Sequence, residues 1–535
     1  IIAKILEKEL KKNDFSSQQI IELLENPPSK DLGDLAFPTF KLASIFKKNP
    51  KDIALELVGK IKLEKGIKEA KAIGPYVNFF IDENFLAQNP LKKALKEKIG
   101  YNNTNKGKKI VIEYSQPNTN KPLHVGHLRN NSLGMSVSRL LEMTGGKITK
   151  VDLFNDRGIH ICQSMLAYKK WGNNSTPEKE NLKSDHFVGK FYVMYHQKEK
   201  EQPELKEELT QMLQNWENGD KETLLLWKKM NVWAEKGFMQ TYKDFGSEFD
   251  ERFKESEIYL QAKPIIELGV KQKVFEKDEH GAIICDLEKW NLGKKTILRA
   301  DGTSIYITQD LALGVQKNKK FKPNKSIYVV ASEQNTYFQQ LFKVIELLGF
   351  PWHNTLYHLS YGLVNLPEGK LKSREGKVID ADTLMKSMQD LAKEEIMKRN
   401  KDLPAKEIEK RAKEISLCAI KFFMLKTDPI KDMLFNPNEA ISFEGETGPY
   451  VQYTYARAKS ILRKAKKSKQ SKAKEQLTEE EKQVLAKISL FEEKIIEAAE
   501  SYSPSKIANY LLELCGLFNS FYHKHKVIDE HNEYF

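Results

Sequence analysis

Cysteine is scarce in this chain of 535 residues, which has four. Cys162, Cys285, Cys418 and Cys515 lie too far apart for the paired spacing of a zinc site. No disulfide framework is expected either, so they read as interior thiols of a reducing compartment. Also missing is any apolar run near the roughly 18 residues that a membrane span needs. The opening IIAKILEKELKK has the pattern of an amphipathic helix rather than of a cleaved leader, so a soluble, cytoplasmic protein without a membrane partner is expected. No internal repeat or long low-complexity tract is visible. Charge is plentiful: 87 Lys and Arg against 74 Asp and Glu leave a net +13. A basic surface suits a polyanionic partner, although solubility alone accounts for an excess of this size equally well. Single cores rarely grow past ~250–300 residues, so several domains are expected.

Residues 1–100 form a first, α+β unit, with helical patterns around Ile2–Leu10 and Gln18–Leu24 and a strand-like alternation over residues 74–80. Residues 101–108, rich in Asn and Lys, read as the linker out of it. Over 107–355 strand and helix patterns alternate, which predicts a Rossmann-like parallel sheet with helical crossovers. Ile110–Tyr114 and residues 151–155 are its first strands, and Asn155, Asp156 and Arg157 then fall at a carboxyl end, where ligands gather in doubly wound folds. Residues 172–222 turn polar and charged, as an insertion would. A later strand, residues 327–331, brings Ser332 to Gln334 to the same edge. A connecting region of 356–445 follows, and 446–535 has an all-helical pattern, with Tyr450, Tyr453, Ala456 and Arg457 at three- and four-residue steps. Arg463, Lys464, Lys466, Lys467, Lys469, Lys472 and Lys474 make a cationic run inside it. Such a run is most often a solvated loop, and after an aromatic helix in a basic protein a nucleic-acid contact is nearly as good a reading.

Two segments carry chemistry. In KIVIEYSQPNTNKPLHVGHLRNNSLGMSVSRLLEMTGG (109–146) a strand runs through the connection 117–122 to a helix over Leu128–Met143. His124 and His127 stand at that junction. A helix start offers free backbone N–H groups and a partial positive charge, which suits a phosphate. Gly126 would let a nucleotide approach the backbone, and the two imidazoles, one turn apart, face one ligand. A surface histidine pair or half a metal site reads almost as well from this pattern alone. The second segment, YGLVNLPEGKLKSREGKVI (361–379), is a glycine-framed loop with Lys370, Lys372, Ser373, Arg374 and Lys377, able to close cations over a triphosphate.

Together HVGH and KLKSR resemble the HIGH and KMSKS signatures of class I aminoacyl-tRNA synthetases. The surrounding blocks are similar to arginyl-tRNA synthetases: EYSQPN (113–118), FDERFKES (249–256), DGTSIYITQD (301–310), YVVASEQ (328–334) and GPYVQYTYAR (448–457), in family order over most of the chain. KLKSR departs from the usual signature, lacking its methionine and carrying Lys372 where a small residue is common. Some members with a weakened loop have a compensating lysine before the HIGH-like site, and Lys121 matches that position.

The resemblance implies an arginine–tRNA ligase that uses ATP, with Mg2+ on the triphosphate and no dedicated metal site, and takes L-arginine and tRNA as partners. A monomer is expected. The planar guanidinium of arginine calls for carboxylates aimed in its plane, and the resemblance gives Glu255 and Asp310 that role, with Tyr306 nearby. It gives Asn118 and Gln334 the amino and carboxylate end and Glu113 a further place in the pocket. His124, His127, Lys121, Lys370 and Lys372 are the implied catalytic groups, and Gly126, Ser373 and Arg374 join them in holding ATP. The N-terminal unit is implied to touch the tRNA elbow and the C-terminal helices to bind the anticodon. There Tyr450, Tyr453, Tyr455 and Arg457 offer faces for bases and cations for phosphates, while Tyr453 and Ala456 are expected first of all to pack. The family also implies attack by the tRNA 2′-hydroxyl and a first step that needs bound tRNA. Other readings are, among enzymes, a class I synthetase for another amino acid or a nucleotidyltransferase relative without tRNA and, from a different class, a catalytically dead RNA-binding scaffold.

Overall fold

Leu35–Pro38 (β1), Ile67–Ile73 (β2) and Tyr76–Ile81 (β3) form an antiparallel sheet with β3 in the middle. The alternation of β3 buries Val77 and Phe79 against Leu6 and Leu10 of the helix Ile2–Leu10 and Ala54 and Leu57 of the helix Pro50–Lys60. This is the α+β pattern read from the sequence. The computed structural model describes residues 1–10, 15–25, 27–82, 85, 94, 99–303, 305–365, 379–464, 477–525 and 527. They divide into two compact units, one of residues 1–100, 458–492 and 513–535, the other of residues 101–457 and 493–512. The C-terminal helices are shared between the two.

The second unit is built on Lys109–Glu113 (β4), Lys147–Phe154 (β5) and Glu251–Lys254 (β6), a small antiparallel sheet of Glu276–Lys277 (β7), Ile283–Asp286 (β8) and Lys294–Leu298 (β9), and then Lys325–Ala331 (β10) and Leu356–Tyr361 (β11). Strands β11-β10-β4-β5-β6, in that order, make one sheet in which every neighbouring pair is parallel. Ile110, Val111 and Ile112 of β4 are buried in succession, as expected for a strand covered by helices on both faces. The first strand of this sheet in the chain is its middle one. The chain leaves β4 toward β5 and β6 on one side and returns as β10 and β11 on the other, so the switch point lies at the carboxyl end of β4.

Between β5 and β6 the polar stretch is helical, with Ser184–Glu199 and Leu205–Glu217 followed by the long helix Lys221–Phe245. Its charge sits on outer faces while Phe187, Phe191, Tyr195 and Trp216 are buried, the usual way an amphipathic helix hides a core in polar composition. After β11 come Val364–Asn365 (β12), the helices Ala381–Arg399 and Ala405–Lys426, and Met433–Leu434 (β13), which pairs with β12. The helix Gly448–Lys464 opens the C-terminal part. Among the described residues no helix is long and apolar enough to cross a membrane.

Candidate active site

The helix after β4 begins at Val125, three residues earlier than the sequence pattern suggested, because a histidine caps it. Nδ1 of His124 accepts from the Gly126 N–H at 3.1 Å, and Nδ1 of His127 accepts from the His124 N–H at 3.1 Å. This is a capping box made of two imidazoles instead of a hydroxyl and a carboxamide. With both Nδ1 atoms accepting, the proton of each neutral ring sits on Nε2, which becomes a free donor. Burial, with Lys121 nearby, lowers the His124 imidazole to about 4, and burial beside His124 and Lys121 holds His127 well below its ordinary value. The pair therefore meets a phosphate as neutral donors. A Cβ at Gly126 would stand 2.9 Å from Cε1 of His124, so the glycine also makes room for the capping ring.

Both flanks of the lysine loop are tied to this helix. Arg129, fully buried one turn in, donates to the carbonyls of Gly362, Leu363, Pro429 and Lys431 at 2.6–3.2 Å. On the other flank, the Val125 N–H bonds the Ile379 carbonyl at 3.1 Å and the Ala381 N–H bonds the Leu123 carbonyl at 2.8 Å. Lys370, Lys372, Ser373, Arg374 and Lys377 lie outside the described residues. Lys121 is half-buried, and burial lowers its ammonium below the usual lysine range.

At the carboxyl ends of β4, β5, β6 and β10 lies a cavity of about 500 Å³ lined by Glu113, Asn118, Glu255, Tyr306, Asp310 and Gln334, with Lys295 and Tyr337. The six residues that the resemblance put in the amino-acid pocket are thus brought together from four separate segments. Glu255 opens the short helix after β6 and is 4 % exposed. Its Oε2 has no hydrogen-bond partner. Burial pushes its carboxyl up to about 8, with Arg157 pulling the other way and Asp156 and Asp310 adding to the rise. Asp310 accepts from the Tyr337 hydroxyl and is raised by burial to about 6. A buried carboxylate oxygen without a donor is costly in an empty site and is satisfied when a cationic N–H donor arrives.

Glu113 differs from the other two acids. Lys317, with 2 % of its side chain exposed, pairs with it at 2.5 Å and lies 3.8 Å from the centre of the Tyr328 ring. Glu113 also accepts from Gln116 Nε2 at 3.1 Å. Its charge is thus already balanced inside the protein. Asn118 bridges to Asn155, and Asn155 Nδ2 donates to the Gln116 carbonyl at 3.0 Å, so the ends of β4 and β5 are laced together beneath the cavity. Sequence reading missed Lys317, Tyr337 and Arg129. Lys317 had a signal, since it lies seven residues after Asp310 on one helix and so on the same face.

In the helix Gly448–Lys464, Tyr453 and Ala456 are exposed rather than packed, because the buried face runs through Gly448, Pro449 and Thr454. Arg457 lies 4.8 Å from the centre of the Tyr453 ring. Tyr455 is exposed and Tyr450 half-buried.

Sheet, histidine cap and acidic cavity define a doubly wound α/β enzyme with its ligand site at the switch point. Residues 90–437 match the family described as tRNA synthetases class I (R), catalytic domain, residues 1–81 the arginyl tRNA synthetase N terminal domain, and residues 451–534 the DALR anticodon binding domain. Among curated relatives, arginine–tRNA ligase of Treponema denticola is 47% identical over 93% of this chain and 87% of its own length. That of Borrelia hermsii is 44% identical over 99% and 92%. The solved arginyl-tRNA synthetase of Thermus thermophilus superposes with a TM-score of 0.79 at 26% identity, covering 98% of this chain and 92% of that one. The chain belongs to the arginyl-tRNA synthetase family.

Proposed function

We infer that this chain is an arginine–tRNA ligase: it activates L-arginine with ATP to arginyl-adenylate and transfers the arginyl group to the 3′-terminal ribose of its tRNA. The observation that carries the reading is the acidic cavity beside the histidine cap. There the buried, unpartnered Oε2 of Glu255 and the raised carboxyl of Asp310 await a cation. A guanidinium offers several N–H donors in one plane and so supplies two carboxylates at once. We assign Glu255, Asp310 and Tyr306 to the side chain of arginine, Asn118 and Gln334 to its amino and carboxylate end, and Glu113 to the wall between. The family matches lend no support to another amino acid or to a dead scaffold.

In the first step the arginine carboxylate attacks the α-phosphate of ATP and pyrophosphate leaves, with magnesium arriving on the triphosphate as part of the substrate. No protein nucleophile is needed, so catalysis rests on position and on donors to the phosphate oxygens. Nε2–H of His124 and of His127 and the Lys121 ammonium take that role, together with Lys370, Lys372, Ser373 and Arg374. In the second step the 2′-hydroxyl of the tRNA attacks the activated carbonyl and AMP leaves. The exposed Tyr453 and Tyr455, with Tyr450 and Arg457, are assigned to tRNA contact. As a translation enzyme it acts in the cytoplasm. ATP–pyrophosphate exchange with each amino acid, with and without tRNA, is the test. Exchange and charging with arginine are expected, and exchange with cysteine or lysine in preference to arginine overturns the reading.

A further inference from the structure

Behind the cavity, the end of β5 holds a second group of charges that the reaction itself does not use. The Arg157 guanidinium lies 4.1 Å from the centre of the Tyr259 ring and 5.1 Å from that of Trp216, and it pairs with Glu217 at 3.0 Å. Only 3 % of its side chain is exposed. Trp216 and Glu217 end the inserted helix Leu205–Glu217. The preceding residue, Asp156, accepts from the Ser256 N–H at 2.9 Å and from its hydroxyl at 2.6 Å, and so grips the residue next to Glu255. The Asp156 carbonyl accepts in turn from Trp227 Nε1 at 2.6 Å. A small cavity of about 180 Å³, with Arg157, Glu217 and Arg299 in its walls, shares Glu255 and Tyr306 with the substrate cavity. Glu255 therefore forms part of the wall between an arginine built into the protein and the place assigned to the substrate.

We propose that Arg157, clamped by Trp216 and Glu217 of the insertion, is a positioning residue behind Glu255 that favours the charged form of that carboxyl toward the substrate guanidinium, so that the insertion takes part in recognising the amino acid. The inference rests on the assignment of Glu255 to arginine. Two opposing influences act on that carboxyl. Burial, with Asp156 and Asp310, favours its protonated form, and Arg157 and a hydrogen bond from Gln309 oppose them; the further charged and titratable groups of the adjoining walls are Glu113, Lys295, Tyr306 and Tyr337 on the substrate side and His160, Glu217 and Arg299 on the other. Stacking on two rings and pairing with Glu217 hold the guanidinium in one orientation, which a lysine would not reproduce.

The test is the arginine KM in charging assays on the full chain, taken from about pH 6 to about pH 9. In Arg157→Met it is expected to rise at least about tenfold near neutral pH, the equivalent of one unit in the carboxyl. The deficit narrows as pH rises and Glu255 loses its proton without help. Turnover at saturating arginine and the KM for ATP stay within about twofold, since neither involves that carboxyl. Trp216→Leu, which leaves the charge and removes one ring, gives a smaller loss with the same pH trend and serves if Arg157→Met does not fold. A deficit equal at every pH, or an equal fall in turnover, overturns the proposal. Glu255→Gln separates the two readings. If it leaves the arginine KM unchanged, the assignment of Glu255 falls; if it raises the KM while Arg157→Met and Trp216→Leu behave as wild type, only the clamp falls.

Discussion

Glu255 is buried and His127 partly buried, and burial moves them in opposite directions. It pushes the carboxyl up to about 8 and holds the imidazole well below its ordinary value, so both lean toward the neutral form. They differ in what each awaits. The acidic cavity is assigned a ligand that carries its positive charge throughout the reaction, and a carboxyl there regains its charge when the guanidinium binds. The histidine edge is assigned the phosphate, where charge moves between oxygens during the reaction, and for that role a neutral N–H donor, oriented by the helix cap, serves without a proton of its own to lose. On these assignments one side of the site recognises by charge and titrates; the other stabilises by direction and does not.

The sharpest break of that contrast is to turn the balanced acid of the cavity into an unbalanced one. Lys317→Met would leave Glu113 buried without its partner, and stability is expected to fall by about 3–5 kcal/mol in denaturant titration. The double variant Glu113→Gln/Lys317→Met should recover most of it, because no uncompensated charge remains. A single variant as stable as wild type would mean that the pair contributes nothing. Next in size is a crossed pair of substitutions. Asp310→Asn is expected to raise the arginine KM by about 30-fold or more, equivalent to the 2 kcal/mol or more for a buried charge partner, with the ATP KM unmoved. His127→Ala is expected to lower turnover by about 10²-fold to 10³-fold, the range for losing one donor to a developing charge, with the arginine KM unmoved. If each variant moved both constants equally, the division of the site into two halves would be gone.

How much of this was legible beforehand follows from how local each feature is. The strand-then-helix order around Lys109–Met143 was readable because apolar runs and helical periodicity are properties of neighbours. The acids of the cavity were readable only through resemblance, since Glu113, Glu255 and Asp310 come from segments as much as 197 residues apart in the numbering of the chain and no periodicity links them. The early start of the histidine helix was missed because histidine is not a usual cap. The pairing of Glu113 with Lys317 joins β4 to a helix about two hundred positions later, and nothing in either segment announces the other. Tyr453 was expected to pack on the strength of its spacing. Spacing gives a face of a helix, and the structure decides whether that face is covered.

Acidity separates the halves by a smaller effect. Asp310 lies near 6 and Glu255 near 8, both above their ordinary values, so arginine, a cation throughout this range, meets more ionised carboxylate as pH rises. Affinity should therefore strengthen from about pH 5 to about pH 9, by up to about a hundredfold per pH unit below about pH 6, where both carboxyls hold protons, and by about tenfold per unit between about pH 6 and about pH 8. Near pH 7 binding releases a proton from Glu255, seen in calorimetry as a heat that depends on the buffer. The His124 imidazole, lowered to about 4, stays neutral over the same range, so turnover at saturating substrates should show no histidine inflection between about pH 5.5 and 8. A turnover curve that rises with an ordinary histidine value would put a charged imidazole into the mechanism.

The smallest change tests the histidine side by direction alone. Gly126→Ala adds one methyl group, at a backbone angle that any residue adopts, with Cε1 of His124 2.9 Å away and Nδ1 3.0 Å away. The ring must shift by a few tenths of an ångström, which weakens the bond from the Gly126 N–H and turns Nε2 away from its aim. Alanine in a helix is favoured over glycine by about 1 kcal/mol, which offsets a weakened cap of about the same size, so the melting temperature should hardly move. Turnover should still fall by about tenfold, since misplacing a reacting group by 1 Å can cost about 10²-fold. The arginine KM should remain that of the wild type. A variant melting at the same temperature and turning over at the same rate would show that the orientation of the capping histidine does not matter. The neutral half of the site would then have to work through His127 and the lysines alone.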